Sequence, residues 1–145
     1  MLDLPDLAAT AALTGRVARP AHAGNTILRQ GPLGAGKSAF ARAFLRAAAA
    51  DPALEVPSPS FTLLQTYDLP RFRAHHFDLW RVADAAELAE LDWEEARADV
   101  VLVEWPDRLG VFRPDDALTI ALQPTGAETR RATLSGWADR IGALA

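Results

Sequence analysis

The sequence predicts an α/β domain built around a phosphate-binding loop, and three observations carry that prediction. A short apolar strand, a glycine-rich turn and a helix-forming run follow one another between Thr26 and Ala50. A second apolar strand, Val100 to Val103, ends in an acid, Glu104. A hairpin pattern lies before it and two late strands that read as antiparallel lie after it.

The elements follow in chain order. Asp6 to Val17 is rich in Ala and Leu and reads as a helix capped near Asp6. Pro20 to Gly24 interrupts it. Thr26-Ile27-Leu28-Arg29-Gln30 reads as a strand, Gly31 to Gly36 as a loop, and Ser38 to Ala50 as a helix. Three prolines make 52–59 a loop. Phe61 to Tyr67 and Phe72 to Phe77 read as two strands joined by a turn at Leu69-Pro70, a hairpin pattern. Asp84 to Leu91 is expected to be helical with Glu87 and Glu90 outward. Asp99 to Glu104 holds the clearest buried strand. Ala117 to Leu122 and Arg131 to Leu134 read as late antiparallel strands, and Trp137 to Leu144 as a closing helix. With no internal repeat or linker, residues 1–145 are expected to form one domain.

Composition narrows the chemistry. The formal net charge is −4, which argues against tight nucleic-acid binding by this chain alone. There are no cysteines, which removes disulfides, thiolate metal sites and cysteine nucleophiles and suits a reducing cytoplasm. No signal peptide is evident, since Asp3 and Asp6 stand where a basic segment would, and no apolar run approaches membrane-spanning length.

The chain has 15 Lys and Arg residues, and Lys37 is the only lysine among them. It sits in Gly31-Pro32-Leu33-Gly34-Ala35-Gly36-Lys37-Ser38, which fits G-x-x-x-x-G-K-[ST]. Glycines let successive backbone N–H groups turn inward toward phosphate oxygens, and the helix that follows adds its positive N-terminal end. A lysine ammonium reaches the β/γ-phosphates as a compact charge that the planar fork of arginine does not imitate. The Ser38 hydroxyl suits Mg²⁺. The chain's own residue frequencies give the bare pattern a chance of about 3 in 10,000, and the strand before and helix after add context. Leu33, Gly34, Ala35, Gly36, Lys37 and Ser38 are therefore the expected nucleotide-binding residues. Guanine readers of this class use N/T-K-x-D, which needs a second lysine, so the base is expected to be adenine.

The rest of such a site needs acids. Glu104 ends a buried strand, where an acid holding Mg²⁺ through water is expected; the plain alternative is a strand-terminal surface glutamate. Asp78, in His75-His76-Phe77-Asp78-Leu79-Trp80-Arg81, is a second strand-terminal acid suited to orienting an attacking water. Its alternatives are a helix cap or a pair with Arg81. Ser60, in Pro57-Ser58-Pro59-Ser60-Phe61, offers a hydroxyl to sense a γ-phosphate, or forms an ordinary serine turn. His75 and His76 are adjacent on a strand, point to opposite faces and are not expected to share an ion.

Four motifs stand in order: Gly31 to Ser38, Ser58 to Phe61, His76-Phe-Asp-Leu-Trp-Arg81 and Val103-Glu-Trp-Pro-Asp-Arg-Leu109. Together they resemble the TsaE (YjeE) family of small bacterial ATPases of tRNA threonylcarbamoyladenosine synthesis, from about Leu4 to the late strands. This chain departs from the family pattern with Pro32 for Asp, Ser38 and Ser60 for Thr, Trp80 for Tyr and Asp107 for Glu or Gln. The resemblance implies a three-layer α/β P-loop NTPase fold with a mixed sheet. It implies ATP on Leu33 to Ser38, Mg²⁺ near Ser38 and Glu104, a functional acid at Asp78 and a switch residue at Ser60. It places Thr10 near the nucleotide, and Trp105, next to the acid, either there or in simple packing. It implies TsaB and TsaD as partners, the adenosine beside the anticodon as the modified base, and tRNA reached only through that complex. Two other functions remain open on the residues: a small-molecule kinase, for which Arg71, Arg73 and Arg81 are a weak lid, and a module that binds ATP without turnover.

Overall fold

The computed structural model describes residues 2–31, 37–56, 64–79, 85–127 and 129–137. Outside them lie the glycine loop Leu33 to Gly36, the Ser60 loop, Trp80 and Arg81, and the expected closing helix after Trp137.

The strands are β1 (Leu2–Leu4), β2 (Thr26–Gln30), β3 (Leu64–Asp68), β4 (Arg73–Asp78), β5 (Val100–Glu104), β6 (Leu118–Pro124) and β7 (Arg130–Ser135). The helices are α1 (Leu7–Ala18), α2 (Lys37–Ala49) and the single turn α3 (Trp93–Ala96), with 3₁₀ segments at Ala85–Leu91 and Pro106–Phe112. Among the described residues the strands form one seven-stranded sheet, in the order β1-β7-β6-β2-β5-β4-β3. β2 runs parallel to β5 and β6, and β4 parallel to β5. The hairpins β3/β4 and β6/β7, and the pair β1/β7, are antiparallel.

Local chemistry explains the element ends. Asp6 caps α1 by accepting from the Ala9 N–H at 2.8 Å. α2 stops at Ala49 because Ala50 takes a left-handed conformation, φ 54°. There the Asp51 N–H reaches the Arg46 carbonyl and the Ala50 N–H the Ala47 carbonyl, the paired bonds of a Schellman close.

Alternation along the central strands divides the core into two faces. Ile27, Leu102 and Ile120 pack with Leu13 and Val17 of α1 and Phe40 and Phe44 of α2. Leu28, Phe77, Val101 and Val103 pack on the other face with Leu88, Trp93 and Leu109. Phe77 and Trp93 meet there edge to face, 5.2 Å between ring centres. The result is three layers around a mixed sheet, as the sequence predicts.

Four details differ. Ala85–Leu91 is a 3₁₀ segment rather than an α-helix. β1, α3 and the turns of Pro106–Phe112 were not expected. β1 is only three residues long and exists because β7 offers it an edge, Leu2 opposite Ala132 and Leu4 opposite Arg130.

Candidate functional site

In a sheet of this kind ligands gather at the carboxyl ends of the parallel strands. Here those ends are Arg29-Gln30-Gly31 on β2, Glu104 on β5 and Asp78 on β4. Register places Arg29 opposite Glu104 and Glu104 opposite Asp78, so the three side chains form one row across the sheet. Alternation puts that row on the face covered by α1 and α2. The backbone of α2 begins at Lys37, and Ser38 follows in its first turn. The fold thus carries both acids expected from the sequence to neighbouring positions beside the helix of the phosphate motif. Leu79, next to Asp78, donates its N–H to the Glu104 carbonyl at 3.1 Å, which ties the two strand ends together.

Glu104 is buried, at 2% exposure. One carboxylate oxygen, Oε2, accepts from Arg29 Nε at 2.7 Å, and both side chains are 3% exposed. The other oxygen, Oε1, lies 3.7 Å from His76 Nε2, too far for a hydrogen bond. Glu104 is therefore not the surface glutamate considered as the alternative; it is a buried anion held by a buried cation. Arg29 Nη1 and both His76 ring nitrogens are fully buried and have no hydrogen-bond partner among the described residues. Buried polar atoms without partners are uncommon, and here three of them belong to the two side chains nearest the Glu104 carboxylate. Arg29 escaped the sequence reading. Its only signal is an arginine inside a five-residue strand whose burial is otherwise that of a core strand.

Gly31 marks where β2 gives way to the loop. Its φ is 153°, and a Cβ there would fall on the Leu122 carbonyl oxygen of β6 and within 3.2 Å of Arg29 Nη1. Glycine lets the loop leave the sheet at this point.

The other expected residues are distributed as follows. Thr10 lies in α1, its hydroxyl donating to the Asp6 carbonyl at 3.4 Å, with no hydrogen bond to Arg29, Glu104 or Asp78. Trp105 adopts φ 60°, ψ 55°, an uncommon conformation for a bulky residue, and its half-buried side chain packs against the Leu28–Phe77–Val103 face. Packing is therefore what the described contacts give Trp105. The two histidines do point to opposite faces. His76 lies beside Glu104, while His75 Nε2 contacts Asp99 Oδ2 at 2.8 Å and its Nδ1 meets the Thr66 hydroxyl at 3.1 Å. The His75 cluster borders a separate cavity of about 330 Å³ with Leu64, Leu91, Asp92 and Glu95. No helix among the described residues is long and apolar enough to cross a membrane.

Comparison with known proteins agrees with this architecture. Residues 4–132 match the family model for threonylcarbamoyl adenosine biosynthesis protein TsaE. A tRNA threonylcarbamoyladenosine biosynthesis protein TsaE from Rickettsia felis is 34% identical over 108 residues, 74% of this chain and 63% of that protein. The match thus spans less than two thirds of that relative's length. The protein of the same name from Bacillus subtilis is 30% identical over 136 residues, 94% of this chain and 83% of that protein. The crystal structure of Bacillus subtilis YdiB superposes with a TM-score of 0.77 at 24% identity, covering 99% of this chain and 88% of the other, a likeness of fold. With the phosphate motif, the two strand-terminal acids and a family match over most of its length, this chain belongs to the TsaE family.

Proposed function

We propose that the chain is an Mg²⁺-dependent ATP-binding and ATP-hydrolysing protein of tRNA threonylcarbamoyladenosine modification, working as one domain that drives or resets a TsaB–TsaD complex. The observation that carries this reading is the row formed by Glu104 and Asp78 beside the start of the helix that opens with Lys37. Lys37 supplies the ammonium to the β/γ-phosphates, and the backbone from Leu33 to Ser38 cradles them. The donor set suits a hard cation: carboxylate and hydroxyl oxygens, with Glu104 Oε1 too far from His76 for a hydrogen bond. Ser38 and Glu104 would hold Mg²⁺, which when bound neutralises charge on the phosphates. Asp78 orients the attacking water, Ser60 senses the γ-phosphate, and Thr10 and Trp105 border the nucleotide.

The chain's net charge of −4 argues against tight tRNA binding by this chain alone and supports a reading in which tRNA is reached through the partner complex. The test measures phosphate release from ATP by the chain alone and with TsaB and TsaD, together with capture of TsaB–TsaD in ATP, ADP or no nucleotide. Low basal hydrolysis, raised by the partners, and nucleotide-dependent capture are expected. Capture that ignores the nucleotide, with hydrolysis unchanged by partners, refutes the proposal and favours a kinase acting on a small acceptor.

A further inference from the structure

We propose that Arg29 is a positioning residue that sets the working orientation of Glu104; the proposal rests on the reading of Glu104 as the metal-side acid. The geometry is a one-point contact. Arg29 Nε holds Glu104 Oε2 at 2.7 Å, whereas a two-point fork would occupy both carboxylate oxygens. Oε1 is left 3.7 Å from His76, too far for a hydrogen bond, so among the described residues its lone pairs remain open to another donor. The contact is enclosed, since both side chains are 3% exposed, so neither solvent nor rotamer exchange loosens it.

Burial of such a pair is a poor way to gain stability. Two well-packed apolar residues in place of a buried ion pair are often as stable or more so. The row of positions on β2 above Arg29 is otherwise core, with Ile27 and Leu28 fully buried. An arginine here therefore calls for a role beyond packing, and its contacts supply one. The rest of the guanidinium points the same way. Nη1 is buried, has no hydrogen-bond partner among the described residues, and lies 3.2 Å from where a Cβ would stand on Gly31. Arg29 thus touches the acid with one nitrogen and lies beneath the entry to the phosphate loop with another. It couples the orientation of Glu104 to the position of Gly31.

The experiment compares the full-length wild type with Arg29→Met and Arg29→Lys. Calorimetry gives the affinity for ADP and for a non-hydrolysable ATP analogue, each with and without Mg²⁺, and thermal melting is recorded alongside. The quantity of interest is the gain in affinity that Mg²⁺ produces. Loss of a charge-assisted hydrogen bond corresponds to about tenfold, so Arg29→Met should lose roughly tenfold of that gain beyond any loss without metal. Arg29→Lys keeps the charge without the planar fork and should fall between the two. A lowered melting temperature with the Mg²⁺-dependent gain intact, in whichever variant folds, overturns the proposal. If the wild type itself shows no Mg²⁺-dependent gain, the metal-side reading of Glu104 fails and this proposal fails with it. A wild-type gain that both variants retain defeats the role of Arg29 alone.

Discussion

Three glycines should respond to the same change, Gly→Ala, with different signs and sizes. At Gly31 the added Cβ meets the Leu122 carbonyl oxygen, and φ is 153°. Relief requires β2 to move away from β6, where Gln30 pairs with Ala121. Backbone strain of about 1–3 kcal/mol and one or two ladder hydrogen bonds at about 1 kcal/mol each give roughly 2–5 kcal/mol. Against a total stability of about 5–15 kcal/mol, that lowers the melting temperature by roughly 10 °C at about 3 °C per kcal/mol. At Gly24, φ is 96° but nothing lies within 4 Å, so only the strain remains, about 1–2 kcal/mol. At Gly15, inside α1, nothing lies within 4 Å and φ is helical. Alanine there should stabilise by about 0.5–1 kcal/mol. Thermal unfolding followed by circular dichroism ranks the three. Nucleotide titration should show a loss for Gly31→Ala only, since that change moves the root of the phosphate loop. A Gly31 variant that melts within a few degrees of wild type, or a Gly24 variant that is the worse of the two, refutes the account of how β2 ends.

Lys37→Ala should abolish productive ATP binding, and Lys37→Arg should fail nearly as badly, both read by nucleotide titration; near-normal affinity in the arginine variant removes the reason given for this lysine. Glu104→Gln should spare nucleotide binding and weaken Mg²⁺-dependent hydrolysis. Because it also leaves the Arg29 charge buried without its partner, its melting temperature should fall. Asp78→Asn should spare nucleotide binding and slow turnover. Wild-type hydrolysis in both variants would dismiss the two-acid site. Ala50→Gly should stabilise the end of α2 by about 1 kcal/mol, because φ 54° costs alanine what it does not cost glycine. Burial raises the pKa of Tyr67, the only tyrosine, so absorbance titration should find its phenol ionising above the ordinary value of about 10. The unfolded phenol loses its proton first, so the stability contributed below about pH 10 should be lost as pH rises further.

The central strands were legible because they are buried on both faces. Val100 to Val103 appears in the chain as a compact apolar run and Thr26 to Gln30 as a short β-branched and aliphatic stretch before the glycine loop, and the structure begins and ends both strands within a residue of expectation. The cap at Asp6 and the hairpin turn at Leu69-Pro70 are equally local signals. β1 was not legible because three residues cannot display a period, and its existence depends on an edge created some 130 residues later. Trp93–Ala96 forms its single turn where tertiary packing of Trp93 against Phe77 decides the conformation. In the site, the strand-terminal acids could be named from the chain, but their register could not. Arg29 shows why: its partner lies 75 positions away, and no pattern within β2 announces a buried cation.

The location of β2 between β5 and β6 has a consequence for how the protein comes off the ribosome. Residues 26–30 find their lateral partners only at Val101 to Glu104 and at Leu118 to Ala121. At ordinary synthesis rates, the stretch from Gln30 to Leu118 takes on the order of ten seconds to translate. Until Glu104 is made, the strand beneath the phosphate-loop sequence has neither flank and Arg29 has no partner acid; from there to Leu118 it has only the β5 flank. Nucleotide therefore cannot guide the early chain; it can only capture a nearly finished one. A fragment ending before Leu118 carries every residue of the loop and still lacks one wall of the strand on which the loop is built.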